Sequence, residues 1–173
     1  MNHNAAMMEV RVADRRNTLF VMGLLLCVIL LWPVAGQAFK CNVTAGGIAF
    51  GGYDAFSPVP TTATADIGVT CNIKEKNKAA PLPVMISVSA GNSGSTAQRQ
   101  LRHAAGGAVL NYNLYMDAGG GTIWGDGTGG SNSRIENVTK ESPFNARIYG
   151  RIPALQNVPV GSYSDMITIS ILY

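Results

Sequence analysis

Charged side chains are scarce in this sequence: Asp, Glu, Lys and Arg make up 13% of its 173 residues, against roughly a quarter in an average soluble domain. No window carries the three-to-four spacing of an amphipathic helix. Beyond residue 38 there are ten Lys and Arg against eight Asp and Glu, a near balance that argues against nucleic acid as a partner. Histidine is rarer still. Of the two, His3 lies near the start and His103 stands alone, which is too little for a catalytic triad. No Ser sits in a Gly-x-Ser-x-Gly elbow, and no Gly-Lys-Ser/Thr follows the glycine-rich stretch to cradle a phosphate. No Cys or His cluster has zinc-ligand spacing. Asp117 and Asp126 flank a Gly-rich loop without the ligand density of a calcium site. The expectation is a protein that is not an enzyme and takes no cofactor and no metal.

What is present begins with a leader. Arg11, Arg15 and Arg16 precede an unbroken apolar run with one glycine, Leu19 to Trp32, and Gly36-Gln37-Ala38 places small residues at the −3 and −1 positions of a cleavage site. These are the three parts of a secretory signal. The run is shorter than the roughly twenty residues a membrane-spanning helix needs. Residues 1–38 are therefore expected to be removed. A single domain, 39–173, remains, with no membrane span, exported through the periplasm to the cell surface or secreted. Export also decides how the cysteines read. Cys27 falls in the leader, and Cys41 and Cys71 remain. Two cysteines in an oxidising compartment most simply form one disulfide.

The domain reads as all-β. Short alternating runs are separated by turn-rich stretches, the pattern of an antiparallel sandwich. Strands are expected near 41–53, 66–73, 84–90, 109–116 and 145–152, and from Ile167 to the end. In the first, Gly46-Gly47 and Gly51-Gly52 suggest a bulge or a switch between sheets. In the second, Ile67, Val69, Cys71 and Ile73 share one face. In the fourth, Leu110, Tyr112, Leu114 and Met116 share one. Residues 74–83 read as a basic solvated loop, 91–107 as a long polar connection, and 118–133 as a glycine-rich loop in which Trp124 packs or anchors. Asn42-Val43-Thr44 and Asn137-Val138-Thr139 match a glycosylation sequon too common by chance to carry weight.

The last strand frames the functional question. Ile167, Ile169, Ile171 and Tyr173 alternate with Thr168, Ser170 and Leu172, a half-buried strand. No hairpin partner follows it, so one edge must be paired with an earlier strand, covered by another chain, or left open.

Several motifs in order resemble a known family. Cys41-Asn-Val-Thr leading to Ile48-Ala-Phe-Gly-Gly-Tyr-Asp54 resembles the opening of spore coat protein U domains. Ile67-Gly-Val-Thr-Cys71 is similar to that family's second cysteine strand. Leu110-Asn-Tyr-Asn-Leu-Tyr-Met-Asp117 followed by Trp124-Gly-Asp-Gly-Thr128 is similar to its central signature. Tyr149-Gly-Arg-Ile-Pro153, Gln156-Asn-Val158 and Gly161-Ser-Tyr-Ser-Asp165 complete the pattern. The resemblance implies a relative of archaic chaperone–usher pilus subunits: an immunoglobulin-like antiparallel β-sandwich lacking one strand that a partner donates. Its implied partners are a periplasmic chaperone, an outer-membrane usher and neighbouring subunits joined by β-strand addition. It also implies that Ile167, Ile169, Ile171 and Tyr173 line the open groove or the adjoining core.

One departure from the pilin pattern is visible. Cleavage after Ala38 leaves only Phe39-Lys40 ahead of Cys41, too short for a donor strand of about five to ten residues. A subunit that accepts a strand and gives none belongs at a tip or end of a fibre. Two alternatives stand beside the pilus, whose role would be adhesion or biofilm formation. One is a secreted coat protein without a pilus. The other is a carbohydrate-binding module stacking sugars on Tyr112, Tyr115 and Trp124, against which counts the placement of the two tyrosines on opposite faces of one strand.

Overall fold

A computed structural model describes residues 4–12, 40–72, 81–139 and 143–173 of the chain. The described residues hold ten strands and one short 3-10 turn, Gly91–Ser93. The strands are β1 (Asn4–Val12), β2 (Lys40–Ala45), β3 (Ile48–Gly51), β4 (Thr61–Asn72) and β5 (Leu82–Val88), then β6 (Arg99–His103), β7 (Val109–Tyr115), β8 (Arg134–Val138), β9 (Phe144–Ile152) and β10 (Tyr163–Leu172).

Two layers face each other. One runs β2-β4-β9-β7, antiparallel throughout. In the other, β10 is flanked by β5 and β6 on one side and β1 on the other, with β8 beyond β5 and β3 beyond β1. β7 belongs to both layers, pairing with β6 through its first half and with β9 through its last residues. The fold is an immunoglobulin-like β-sandwich.

Alternation explains which faces meet. Ile67, Val69 and Cys71 of β4, Ala146, Ile148 and Ile152 of β9, Val84, Ile86 and Val88 of β5, and Ile167, Ile169 and Ile171 of β10 are all buried in one core. Each fully buried aliphatic side chain stabilises the fold by about 1.5–3 kcal/mol relative to exposure. The outer positions of β4 and β9 carry polar groups, among them an exposed ion pair from Arg147 Nε to Asp66 Oδ1 at 2.9 Å. Cys41 lies opposite Cys71 in the β2–β4 ladder, and the two form a disulfide closing a separation of 30 residues.

Gly46-Gly47 is where the chain leaves the layer of β2 and enters that of β3. β3 then packs across the sandwich onto β9. A Cβ at Gly150 would stand 2.7 Å from Phe50 Cζ and 3.1 Å from Ile48 Cγ2, so only glycine lets β3 lie this close.

Four expectations change. β4 begins at Thr61, earlier than the apolar alternation indicates, because Ala63 and Ala65 are small enough to pass for loop residues yet point inward. The stretch 91–107 is more than a polar connection: it holds β6, whose inward residues are Arg99 and Leu101. β8 is an additional strand that the alternation does not reveal, because Arg134 and Glu136 pair on its half-exposed face and only Val138 is buried. Residues 4–12, assigned by sequence to the export leader and so outside the fold, form a strand within the sheet. Ile73 of the second expected strand, and residues 74–80 of the basic loop at 74–83, lie outside the described residues.

Candidate strand-accepting groove

β10 is the floor of the site. Its burial alternates from Tyr163 through Asp165, Ile167 and Ile169 to Ile171. Tyr173, just past the strand, is partly buried and packs against the core. On one side β10 is held by β6 at Tyr163 and Ser164, and by β5 from Ile169 to Leu172. Between those two stretches the sheet bends away, and Ser89 bridges the gap: its amide donates to the Thr168 carbonyl (2.9 Å) and its Oγ accepts from the Thr168 amide (2.9 Å).

The other side of β10 is covered by β1. The pairing is parallel and continuous, from Ala5 opposite Ser164 to Val12 opposite Ile171. Across β1 lies β3, with Asn4 opposite Gly51, Ala5 opposite Ala49 and Ala6 opposite Ile48. Among the described residues, β1 is the strand that joins β10 to β3. The slot is thus a groove with two backbone walls, β10 and β3. Three isoleucines of β10 stand on the core side, in register with Met8, Val10 and Val12.

One end of the groove is polar and hydrogen-bonded. Asp165 is buried, and its carboxylate accepts from Tyr112 Oη (2.7 Å), the Asn92 amide (2.8 Å) and the Met166 amide (2.8 Å). Gly91, at φ +66°, lies so close that a Cβ there would sit 2.2 Å from Asp165 Oδ2. Burial first, and then the charge and hydrogen bond of Asp165, push the Tyr112 phenol well above its ordinary pKa. Tyr112 in turn meets Phe50 of β3 edge to face at 5.8 Å, so the two walls of the groove are tied through one side chain.

Behind this end sits a second buried ion. Arg99 is fully buried, and its guanidinium donates to Asn113 Oδ1 (2.6 Å) and to the carbonyls of Ser89 (2.9 Å), Val88 (3.2 Å) and Trp124 (2.8 Å). Burial pulls its pKa down, while the charges of Tyr112, Asp165 and Asp126 oppose that shift. Trp124 anchors the glycine-rich loop as expected, with Nε1 donating to the Ile86 carbonyl (3.2 Å). An open cavity of about 400 Å³ adjoins the same end, lined by Asn4, Tyr53, Phe56, Leu110, Val158 and Tyr163, among others.

The site holds no catalytic constellation among the described residues. His103 stacks on Tyr163 at 4.9 Å, and no group of three metal-ligating side chains occurs among the described residues. The sugar platform is not assembled either, because Tyr112 and Trp124 are buried in the core. Sequence reasoning missed Asp165, Tyr112 and Arg99 as parts of the groove end, and β3 as its second wall. The alternation of β10 starts at Tyr163, but a carboxylate in the second inward position hides it.

Comparison with known proteins decides the family. A family model, the Spore Coat Protein U domain, matches residues 33–170. The chain belongs to that family. It is 28% identical over 145 residues to Protein U of Myxococcus xanthus, covering 80% of this chain and 79% of that protein. Among solved structures it resembles a chain in the CsuC–CsuE chaperone–tip adhesion subunit pre-assembly complex from archaic chaperone–usher Csu pili of Acinetobacter baumannii. The TM-score is 0.51 at 17% identity, over 79% of this chain and 40% of that one. At this identity the likeness establishes the shared fold. No helix among the described residues is long and apolar enough to cross a membrane.

Proposed function

We propose that this chain is a structural subunit of a chaperone–usher-type surface fibre, assembled by β-strand addition in the groove between β10 and β3. The observation that carries the reading is the source of the strand in that groove. Residues 4–12 lie outside the family domain of residues 33–170. Without them β10 presents unpaired backbone groups from Ser164 to Ile171, beside three isoleucines at the core edge. An open edge of this kind is a template for another chain's strand. On this reading β1 stands in for that strand: first a periplasmic chaperone's, then a neighbouring subunit's, with the usher as exit.

Removal of the leader after Ala38 creates the vacancy. It also leaves no donor strand, since Lys40 is already paired with Asn72 in the β2–β4 ladder. Such a subunit accepts and does not give, which places it at the tip or end of a fibre, where adhesion and biofilm formation follow. Ile167, Ile169 and Ile171 carry the pairing face, and Tyr173 closes its far end. A coat layer built by the same edge pairing is the second reading, favoured by the family's description as a Spore Coat Protein U domain.

The test is copurification with the cognate periplasmic chaperone. Ile169→Asp should abolish it, because a buried unpaired charge is costly. Met166→Asp, on the outer face of the same strand and half exposed, should leave it intact. Retained capture by Ile169→Asp would remove β10 as the pairing strand. Absence of any chaperone or usher partner would favour the coat reading. Mass measurement of the secreted chain tests the end position: an N-terminus well upstream of Phe39 would overturn it.

A further inference from the structure

The strand-accepting groove lies in one layer. The outer face of the other layer, β2-β4-β9-β7, carries a second concavity, an open pocket of about 150 Å³. Strand register builds its floor. Tyr115 of β7 lies opposite Tyr149 of β9, and Tyr149 lies opposite Thr64 of β4. Two residues further along β9, Arg151 lies opposite Thr62. Tyr149 and Arg151 alternate with Ile148 and Ile152, which are buried in the core, so both point outward. The turn after β7 forms the wall. Asp117 Oδ1 and Oδ2 accept from the amides of Gly121 (3.1 Å) and Thr122 (2.9 Å). That turn brings Gly120, at φ +73°, against the floor: a Cβ there would stand 3.5 Å from Arg151 Nη1 and 3.8 Å from Tyr115 Cδ1.

Arg151 is the group that calls for a ligand. Four residues earlier on the same face, Arg147 is paired with Asp66 at 2.9 Å. Arg151 makes no hydrogen bond or ion pair among the described residues, although Asp117 lines the same pocket. The phenols of Tyr115 and Tyr149 and the hydroxyls of Thr62 and Thr64 also lack hydrogen-bond partners among the described residues. Aromatic faces beside open polar groups suit a ligand with an apolar face and a polar rim, as a sugar ring has. A guanidinium pairs best with a planar carboxylate, through two parallel hydrogen bonds. Asp117 keeps a negative charge at the rim, which disfavours a doubly charged phosphate. The volume is below the roughly 300–1,000 Å³ of drug-sized sites, so one ring enters and the rest of a chain lies along the exposed sheet.

We propose that this pocket binds an acidic sugar, a hexuronate unit of a polysaccharide, with its ring against Tyr149 and Tyr115 and its carboxylate on Arg151. The site stands apart from the groove, so it does not depend on the strand-addition reading.

The test is NMR titration of the full chain with three probes: glucuronate, glucose and acetate. Glucuronate should shift the ring signals of Tyr115 and Tyr149 with a Kd of about 1–10 mM. Glucose and acetate should bind about tenfold more weakly or worse. Arg151→Gln should weaken glucuronate binding by about tenfold, and Arg151→Lys should restore part of it, because the charge returns without the fork. Tyr149→Ala should weaken binding, and Tyr149→Phe should keep it, because the ring remains. Arg147→Gln removes the same charge from the same face and should change nothing. Arg151 is exposed, so its variants keep the fold and decide the matter even where Tyr149→Ala does not fold. No ring shift at about 50 mM glucuronate, or wild-type affinity in Arg151→Gln, would overturn the proposal. Equal binding of glucose would remove the charge recognition, and equal binding of acetate would leave an anion site without a sugar; either result overturns it too.

Discussion

At the scale of single residues, Arg99 has the most to lose. Its guanidinium makes four hydrogen bonds, to one amide oxygen on β7 and to three main-chain carbonyls, two at the end of β5 and one in the Trp124 loop. Arg99→Met leaves those acceptors unpaired in the core and should cost about 3–5 kcal/mol, read as a lowered urea midpoint. Arg99→Lys should rescue little, because an ammonium cannot reproduce the planar fork. Tyr112 gives a pH signature. Its pKa is raised in the fold from an ordinary value of 10.0, so the folded state prefers the neutral phenol. That stabilisation is complete below about pH 10 and is lost as pH rises above it. Stability should therefore fall on the alkaline side, and Tyr112→Phe should make the fall shallower. It should also lower stability near neutrality by about 1–3 kcal/mol, since Asp165 loses a donor. Removal of the disulfide by Cys71→Ser should cost about 2–5 kcal/mol. Wild-type protein unfolded in the presence of reductant should match the variant, and an unchanged midpoint in both would rule out a stabilising disulfide.

At the scale of elements, the position of β3 depends on Gly150. A methyl group there meets Phe50 and Ile48, and overpacking of this kind costs about 1–3 kcal/mol. Gly150→Ala should lower stability and also weaken capture of an incoming strand, because β3 is one wall of the groove. A loss of stability with capture unchanged would separate β3 from the site. The strands that alternate apolar and polar residues were legible in the sequence: β5, β7, β9, β10 and the second half of β4. The sheet switch at Gly46-Gly47 was legible from its glycines. β6 and β8 were hidden for opposite reasons. β6 buries an arginine, which only a ring of carbonyls brought from distant segments makes tolerable. β8 buries little but Val138 and is held mainly by its ladder to β5. The groove was half legible. Ile167, Ile169 and Ile171 showed a buried face, but its polar end depends on Asp165, Tyr112 and Asn92. These meet through contacts 53 and 73 residues apart in sequence, and no local pattern reports such distances.

At the scale of the whole molecule, the sandwich is closed by a segment from outside its own domain. In the structure a strand lies between β10 and β3 and seals the core on that side, so on the proposed strand-addition reading stability and assembly become one property. A ligand that binds the folded state stabilises it in proportion to the logarithm of its excess over Kd, and here the ligand is a strand. The direct measurement is urea unfolding, with size-exclusion, of the oxidised chain from Phe39 to Tyr173, with and without a peptide of residues 4–12. The account predicts a weakly stable, self-associating protein that the peptide converts to a monomer with a higher midpoint. A soluble monomer with a cooperative transition indifferent to the peptide would contradict it, and would mean that the sandwich is complete without a donated strand.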